Sequence, residues 1–252
     1  MPRHARPTVV LVHGAFADAS SFARVIPELA AAGMEVVAPA VPNRSLVDDA
    51  AYIASVIRAV EGPVILVGHS YGGAVITLAG TEDNVRALVY LAGYALEEGE
   101  SLGELQGRFP DSGLADALVY TPFPVAGSTE TGTDVSVEIE KFPALFAADV
   151  DPDLAAVLAV SQRPLAARAF SEAAPVAAWK TKPSWGLVAS CDRTINPDVE
   201  RYGYERAGMT TVEVDSSHLV MLAQPKAVAE LIQDAARSTA PDPIVQDRTI
   251  SR

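Results

Sequence analysis

The run Val64-Ile65-Leu66-Val67-Gly68-His69-Ser70-Tyr71-Gly72-Gly73-Ala74-Val75-Ile76-Thr77-Leu78-Ala79 decides the reading of this chain. It holds a G-x-S-x-G motif between an apolar run of strand length and an apolar run of helical character. That context gives the motif its meaning. The chain must pass from strand to helix at the serine in a turn sharp enough to strain the backbone. Glycines at 68 and 72 admit neighbouring backbone where a side chain would collide. The turn lifts the Ser70 hydroxyl off the sheet edge. It aims the Tyr71 N–H, and the start of the following helix, at the same small volume. A nucleophile and half of an oxyanion hole are thus predicted from one turn.

Outward from this point, short apolar runs alternate with helical patterns. Strands are expected at Thr8–His13, Met34–Ala38, Val64–Gly68, Val85–Ala92, Ser184–Ser190 and Thr210–Val214, nearly continuous in Val, Ile, Leu and Ala. Such runs suit parallel strands buried on both faces. Helices are expected at Ser21–Ala32, ended by Gly33, and at Leu46–Val60, capped by Ser45 with Asp48 as a capping-box partner. Others follow at Gly72–Gly80, at Pro197–Ala207 with Asn196 as N-cap, and at Pro225–Ala236. The alternation implies an α/β fold, a doubly wound and mostly parallel sheet of about six strands.

The rhythm breaks between Tyr94 and Lys182, a stretch rich in Gly and Pro. Its Phe, Tyr, Trp and Leu content argues against a loosely structured surface excursion. A lid insertion over 94–182 is expected to cover the carboxyl edge of the sheet, where ligands bind in such folds. A short hairpin is predicted at Leu118–Phe123 and Asp134–Ile139, with helical patterns at Asp153–Ala159 and Leu165–Phe170. The chain reads as one domain over 1–252, with core segments 8–93 and 183–237 and polar tails at 1–7 and 238–252.

The 252 residues carry 19 basic against 32 acidic side chains, a net charge of −13. A phosphate backbone or an anionic membrane surface would be repelled, so neither nucleic acid nor membrane is an expected partner. No segment has the length of a membrane span. Cys191 is the only cysteine, so no internal disulfide can form, and it reads as a buried strand-end residue. A cytoplasmic protein is the default expectation. Its partner is a small molecule, with a homodimer left open.

Ser70 needs a base, and the chain has four histidines. His4 lies in the N-terminal tail, His13 ends the first strand, and the ring of His69 must point away from Ser70. His218 ends the last strand and projects from the same sheet edge as Ser70, which makes it the base. The imidazole needs an orienting acid. Asp192 follows the strand Ser184–Ser190, and the order Ser70, Asp192, His218 is the one this architecture uses. The turn after Val85–Ala92, the other common place for the acid, holds no carboxylate. The second oxyanion donor is expected in the loop Val12-His13-Gly14-Ala15-Phe16, from the N–H of Ala15, with that of Phe16 as runner-up. No clustered His/Cys set suggests a metal, and no cofactor is called for. For Arg163, an ion pair with Asp149, Asp151 or Asp153 is expected, with contact to an anionic substrate as the alternative.

Taken together, these motifs resemble the α/β-hydrolase superfamily over nearly the whole chain. The resemblance is closest to the branch of plant methyl esterases, hydroxynitrile lyases and small bacterial relatives. It rests on Val12-His13-Gly14-Ala15, Gly68-His69-Ser70-Tyr71-Gly72-Gly73, Asp192-Arg193-Thr194-Ile195 with Arg201-Tyr202, and Val214-Asp215-Ser216-Ser217-His218 with Met221-Leu222-Ala223-Gln224-Pro225. In the lyases a threonine follows the strand-end histidine and a lysine follows the catalytic histidine. Here those places hold Gly14 and Leu219. The resemblance therefore implies a serine esterase acting on a small, largely hydrophobic ester, with amides or lactones as further substrate classes. The alternatives are a non-hydrolytic activity on the same residues (C–C lysis or perhydrolysis) and a ligand-binding receptor.

Overall fold

A computed structural model describes residues 6–240. In chain order its elements are β1 (Thr8–Val12), α1 (Val25–Ala31), β2 (Glu35–Val37), α2 (Leu46–Ala59), β3 (Val64–His69), α3 (Tyr71–Ala79) and β4 (Val85–Leu91). Then come α4 (Leu102–Gln106), β5 (Leu118–Pro124), β6 (Thr131–Val137), α5 (Phe142–Phe146), α6 (Pro152–Val160) and β7 (Leu165–Ala166). The chain closes with β8 (Ser184–Ala189), α7 (Pro197–Arg206), β9 (Thr210–Val214), α8 (Val220–Ala223) and α9 (Pro225–Ser238). The expected tails lie, at 1–5 and 241–252, outside the described residues.

Six strands form one sheet in the order β2-β1-β3-β4-β8-β9, with every neighbouring pair parallel. The fully apolar runs of β1 and β3 are buried along their whole length, while the edge strand β9 is mostly exposed. This is the physical reason for the sequence pattern: central strands are covered by helices on both faces, so alternation disappears. Helices α1 and α9 pack together, as do α2 and α3. The chain leaves β1 toward one edge, to β2, and returns to β3 on the other side of β1. The strand order thus switches direction between β1 and β3, and the loops that follow these two strands meet at their carboxyl ends, where Gly14 packs against Ser70.

The segment between β4 and β8 builds a second, antiparallel sheet, β5-β6-β7, with helices α4, α5 and α6. The hairpin runs 118–124 against 131–137, so its second strand begins and ends earlier than predicted. Leu165–Phe170 is not a helix: Leu165 and Ala166 pair with β6, and a single 3-10 turn follows. Three short helices that the sequence pattern did not mark (α4, α5 and α8) have five residues or fewer, too short for a periodicity to show. Ser45 caps α2 by accepting from the Asp48 amide, but no capping box closes, because the Asp48 carboxylate pairs with Arg168. No helix among the described residues is long and apolar enough to cross a membrane.

Candidate active site

Ser70 sits between β3 and α3 with φ 55° and ψ −121°, a left-handed conformation that an L-residue adopts only when its surroundings impose it. The surroundings are close backbone. A Cβ on Gly72 would lie 2.3 Å from the Val12 carbonyl oxygen, and one on Gly68 would lie 2.3 Å from that of Gly72. The Ser70 amide donates to Leu91 O (3.1 Å), and its carbonyl accepts from Gly73 N (2.9 Å) and Tyr94 N (3.2 Å). Both flanking strands therefore grip the turn.

The Tyr71 ring points away into the core, where its hydroxyl donates to Asp49 Oδ2 (2.7 Å). Asp49 also accepts from the Arg44 amide, and burial, the largest influence, pushes its carboxyl above the usual range. The Tyr71 amide is the first N–H of α3 and has no protein acceptor among the described residues. The Ala15 amide likewise has none. That of Phe16 is committed to Arg163 O (2.9 Å). Phe16 itself has φ 60°, so the loop turns sharply just past Ala15. Gly14 passes so close to the serine that a Cβ there would meet Ser70 Cβ at 2.7 Å.

His13 holds this loop. Its Nε2 accepts from the Val41 amide (2.9 Å), so Nδ1 carries the proton and donates to Gly14 O (2.9 Å). Burial lowers its pKa below the ordinary 6.5. The sequence gives no sign of this role, because Val41 lies 28 residues away.

His218 is fully buried, and its Nδ1 lies 2.5 Å from Asp192 Oδ2. The other carboxylate oxygen accepts the amides of Thr194 (2.6 Å) and Ile195 (3.1 Å). Asp192 thus has fixed donors on both oxygens, and the imidazole Nδ1–H is one of them. Nε2 is enclosed and without a hydrogen-bond partner, so Ser70 does not bond to it in this conformation. The connection to the serine turn is made by His69. Its Nε2–H donates to His218 O (2.9 Å), and the two rings lie 4.6 Å apart. Burial and the neighbouring His218 hold the His69 pKa well below 6.5.

The segment between β4 and β8 reaches directly into this site. Phe146 packs edge-on against the His218 ring (4.7 Å) and against Phe16 (5.6 Å), and its carbonyl accepts the Leu219 amide (3.0 Å). Arg163 makes no ion pair with Asp149, Asp151 or Asp153, contrary to expectation. Its Nη2 donates to Pro42 O (3.2 Å), Asp149 turns to Ser216 and Ser217, and Asp151 caps α6. Cys191 is exposed rather than buried, because the turn after β8 points its thiol at Asp215 Oδ1 (2.9 Å). No group of three or more His, Cys, Asp and Glu among the described residues is arranged to hold a metal.

A parallel six-stranded sheet with a strained serine turn after β3 and a His–Asp pair after its last strands is the layout of one large family. The chain belongs to the alpha/beta hydrolase family, whose model matches residues 9–231. Among solved structures it is similar to polyneuridine aldehyde esterase, at 18% identity over 91% of this chain and 99% of that one, with a TM-score of 0.79. It is similar to a pyrethroid hydrolase from Sphingobium faniae JZ-2, at 21% identity over 93% and 98%, with a TM-score of 0.73. Tomato methylketone synthase I, complexed with 2-tridecanone, gives 16% identity over 93% and 99% and a TM-score of 0.77. No curated protein matches the sequence.

Proposed function

We propose that the protein is a serine esterase that cleaves a small, largely hydrophobic carboxylic ester through an acyl-enzyme, with amides and lactones as neighbouring substrate classes. The observation that carries this reading is the buried His218, with Nδ1 held 2.5 Å from Asp192 and Nε2 left unpartnered beside the serine turn. An imidazole fixed on one nitrogen and free on the other is a base waiting for a proton. Ser70 Oγ attacks the carbonyl carbon and passes its proton to His218 Nε2. The imidazolium is stabilised by Asp192 and then gives the proton to the leaving alkoxide. Water repeats the sequence to release the acid. The Ala15 and Tyr71 amides receive the oxyanion, and both are free of protein acceptors. The Ser70–Nε2 hydrogen bond forms when substrate arrives, as catalytic hydrogen bonds commonly tighten only in the bound complex. Phe16, Phe146 and Leu219, all buried around His218, favour an apolar substrate group. Two of the folds it resembles are those of an esterase and a hydrolase.

The test is turnover of a panel of small esters, amides and lactones by the wild-type protein and by Ser70→Ala. The variant should fold normally and lose about 10⁴-fold or more in kcat. Undiminished turnover in a folded Ser70→Ala protein refutes the assignment. Tight binding of an ester without turnover by the wild type would favour a receptor instead.

A further inference from the structure

Glu200 lies on α7, one turn past the Asn196 cap, and is completely buried. Its Oε2 accepts the amide of Ala189, the last residue of β8 (3.0 Å), while its Oε1 is enclosed with no conventional partner. The carbonyl of that same Ala189 accepts the Asp192 amide (3.1 Å), so Glu200 and Asp192 are anchored on one peptide pair. Both side chains are thus buried together at the end of β8, tied to the two sides of Ala189.

Two carboxylates buried as neighbours in a protein cannot both stay ionised unless a cation neutralises them. None does here. Arg201, the adjacent residue, spends its guanidinium at the surface on Asp198 and Glu213. Of the buried tyrosines nearby, Tyr204 accepts the Gly93 amide and Tyr94 donates to Gln106, and neither brings a positive charge. One carboxyl must then hold a proton, and hydrogen bonding decides which. Asp192 receives two backbone amides and the His218 ring N–H, whereas Glu200 receives one amide. The charge rests where the donors are. Burial, and next the negative Asp192, push the Glu200 carboxyl well above its ordinary range.

We infer that Glu200 is a neutral carboxylic acid that positions Asp192 by donating its Oε1–H to it. This rests on the proposed roles of Asp192 and His218. The donated proton accounts for an oxygen that otherwise stands buried and unpaired, a state that folded proteins avoid. It also limits the negative charge that Asp192 presents to the imidazole and fixes the carboxylate plane against rotation.

Infrared difference spectra and kinetics of Glu200→Gln and Glu200→Met test this together, with Ser70→Ala as a control. Wild type should show the carbonyl band of a protonated carboxylic acid at neutral pH, and Glu200→Gln should lack it. Glutamine can accept from Ala189 and donate to Asp192, so Glu200→Gln should keep kcat within about twofold and leave the acid limb of the kcat/KM profile in place. Methionine fills the space without a donor, and Glu200→Met should lower kcat about tenfold at unchanged KM, roughly one hydrogen bond's worth of barrier. Absence of the band overturns the inference. So does a Glu200→Gln acid limb moved to lower pH, the mark of a lost negative charge, or a Glu200→Gln loss as large as that of Glu200→Met. If Glu200→Met does not fold, the band and the Gln variant still decide. An active Ser70→Ala protein would defeat the triad instead, without touching the infrared result.

Discussion

The carboxylate of Asp149 grips Ser217, the residue immediately before His218. Asp149 Oδ2 accepts the Ser217 amide (3.0 Å) and the Ser216 hydroxyl (2.9 Å), and Oδ1 accepts the Ser217 hydroxyl. With the Leu219 amide on Phe146 O, the segment between β4 and β8 clasps the histidine loop on both sides of the ring. Asp149→Ala should therefore do more than loosen a loop. Three hydrogen bonds to one charged acceptor are lost, costing about 1–3 kcal/mol of stability. kcat should fall by roughly tenfold to a hundredfold through misplacement of the imidazole. Denaturant unfolding and ester turnover on the same preparation check this, and wild-type kcat in the variant would show that the loop holds itself.

Asp192→Asn should preserve the shape of the site but not its proton arrangement. An amide at this place can present a donor to Nδ1, which favours the wrong tautomer and leaves Nε2 protonated. The expected loss in kcat is about 10⁴-fold near neutral pH. A small effect here, with a large one from another carboxylate, would move the orienting role elsewhere.

Stability should respond to pH in opposite directions through two sets of buried groups. His13 and His69 have lowered pKa values, so below the ordinary 6.5 the unfolded chain binds protons that the native rings refuse. Their contribution is present above 6.5 and is lost as pH falls. Glu200 is raised, so its contribution is full below the ordinary 4.5 and is lost as pH climbs toward its native value. In the wild type the two slopes oppose each other. Glu200→Gln should make stability fall more steeply on acidification from about pH 7.5 to about pH 5, and His69→Gln less steeply. Urea midpoints at the two pH values measure both, and equal slopes in all three proteins would contradict the assignment.

Cyanohydrin cleavage should be negligible. It asks for a hydroxyl near the substrate oxygen and a positive charge to receive cyanide. Gly14 offers no side chain, and with a Cβ position 2.7 Å from Ser70 Cβ this backbone has no room for one. Leu219 is buried and apolar, which makes a developing anion costlier. Mandelonitrile and a phenyl ester, assayed side by side, decide the matter. Strong cyanide release with poor ester turnover would reverse the reading.

What the amino-acid order determined by itself is whatever depends on neighbours in the chain. The apolar runs, the glycines around Ser70, the Asn196 cap and the succession Ser70, Asp192, His218 are local patterns, and the parallel sheet follows from their alternation. Tertiary structure decided the rest, because those contacts join residues far apart in sequence. Nothing near Asp149 announces that it holds Ser217, 68 residues on, and nothing near His13 announces the Val41 amide that sets its tautomer. Arg163 has three aspartates close by in sequence and chooses the Pro42 carbonyl, 121 residues away. Cys191 reads as buried and is exposed, since one turn reverses its direction. Glu200 looks like one more surface acid of a polar helix. Only the packing of α7 against β8 buries it beside Asp192, where low dielectric and a neighbouring charge determine its protonation.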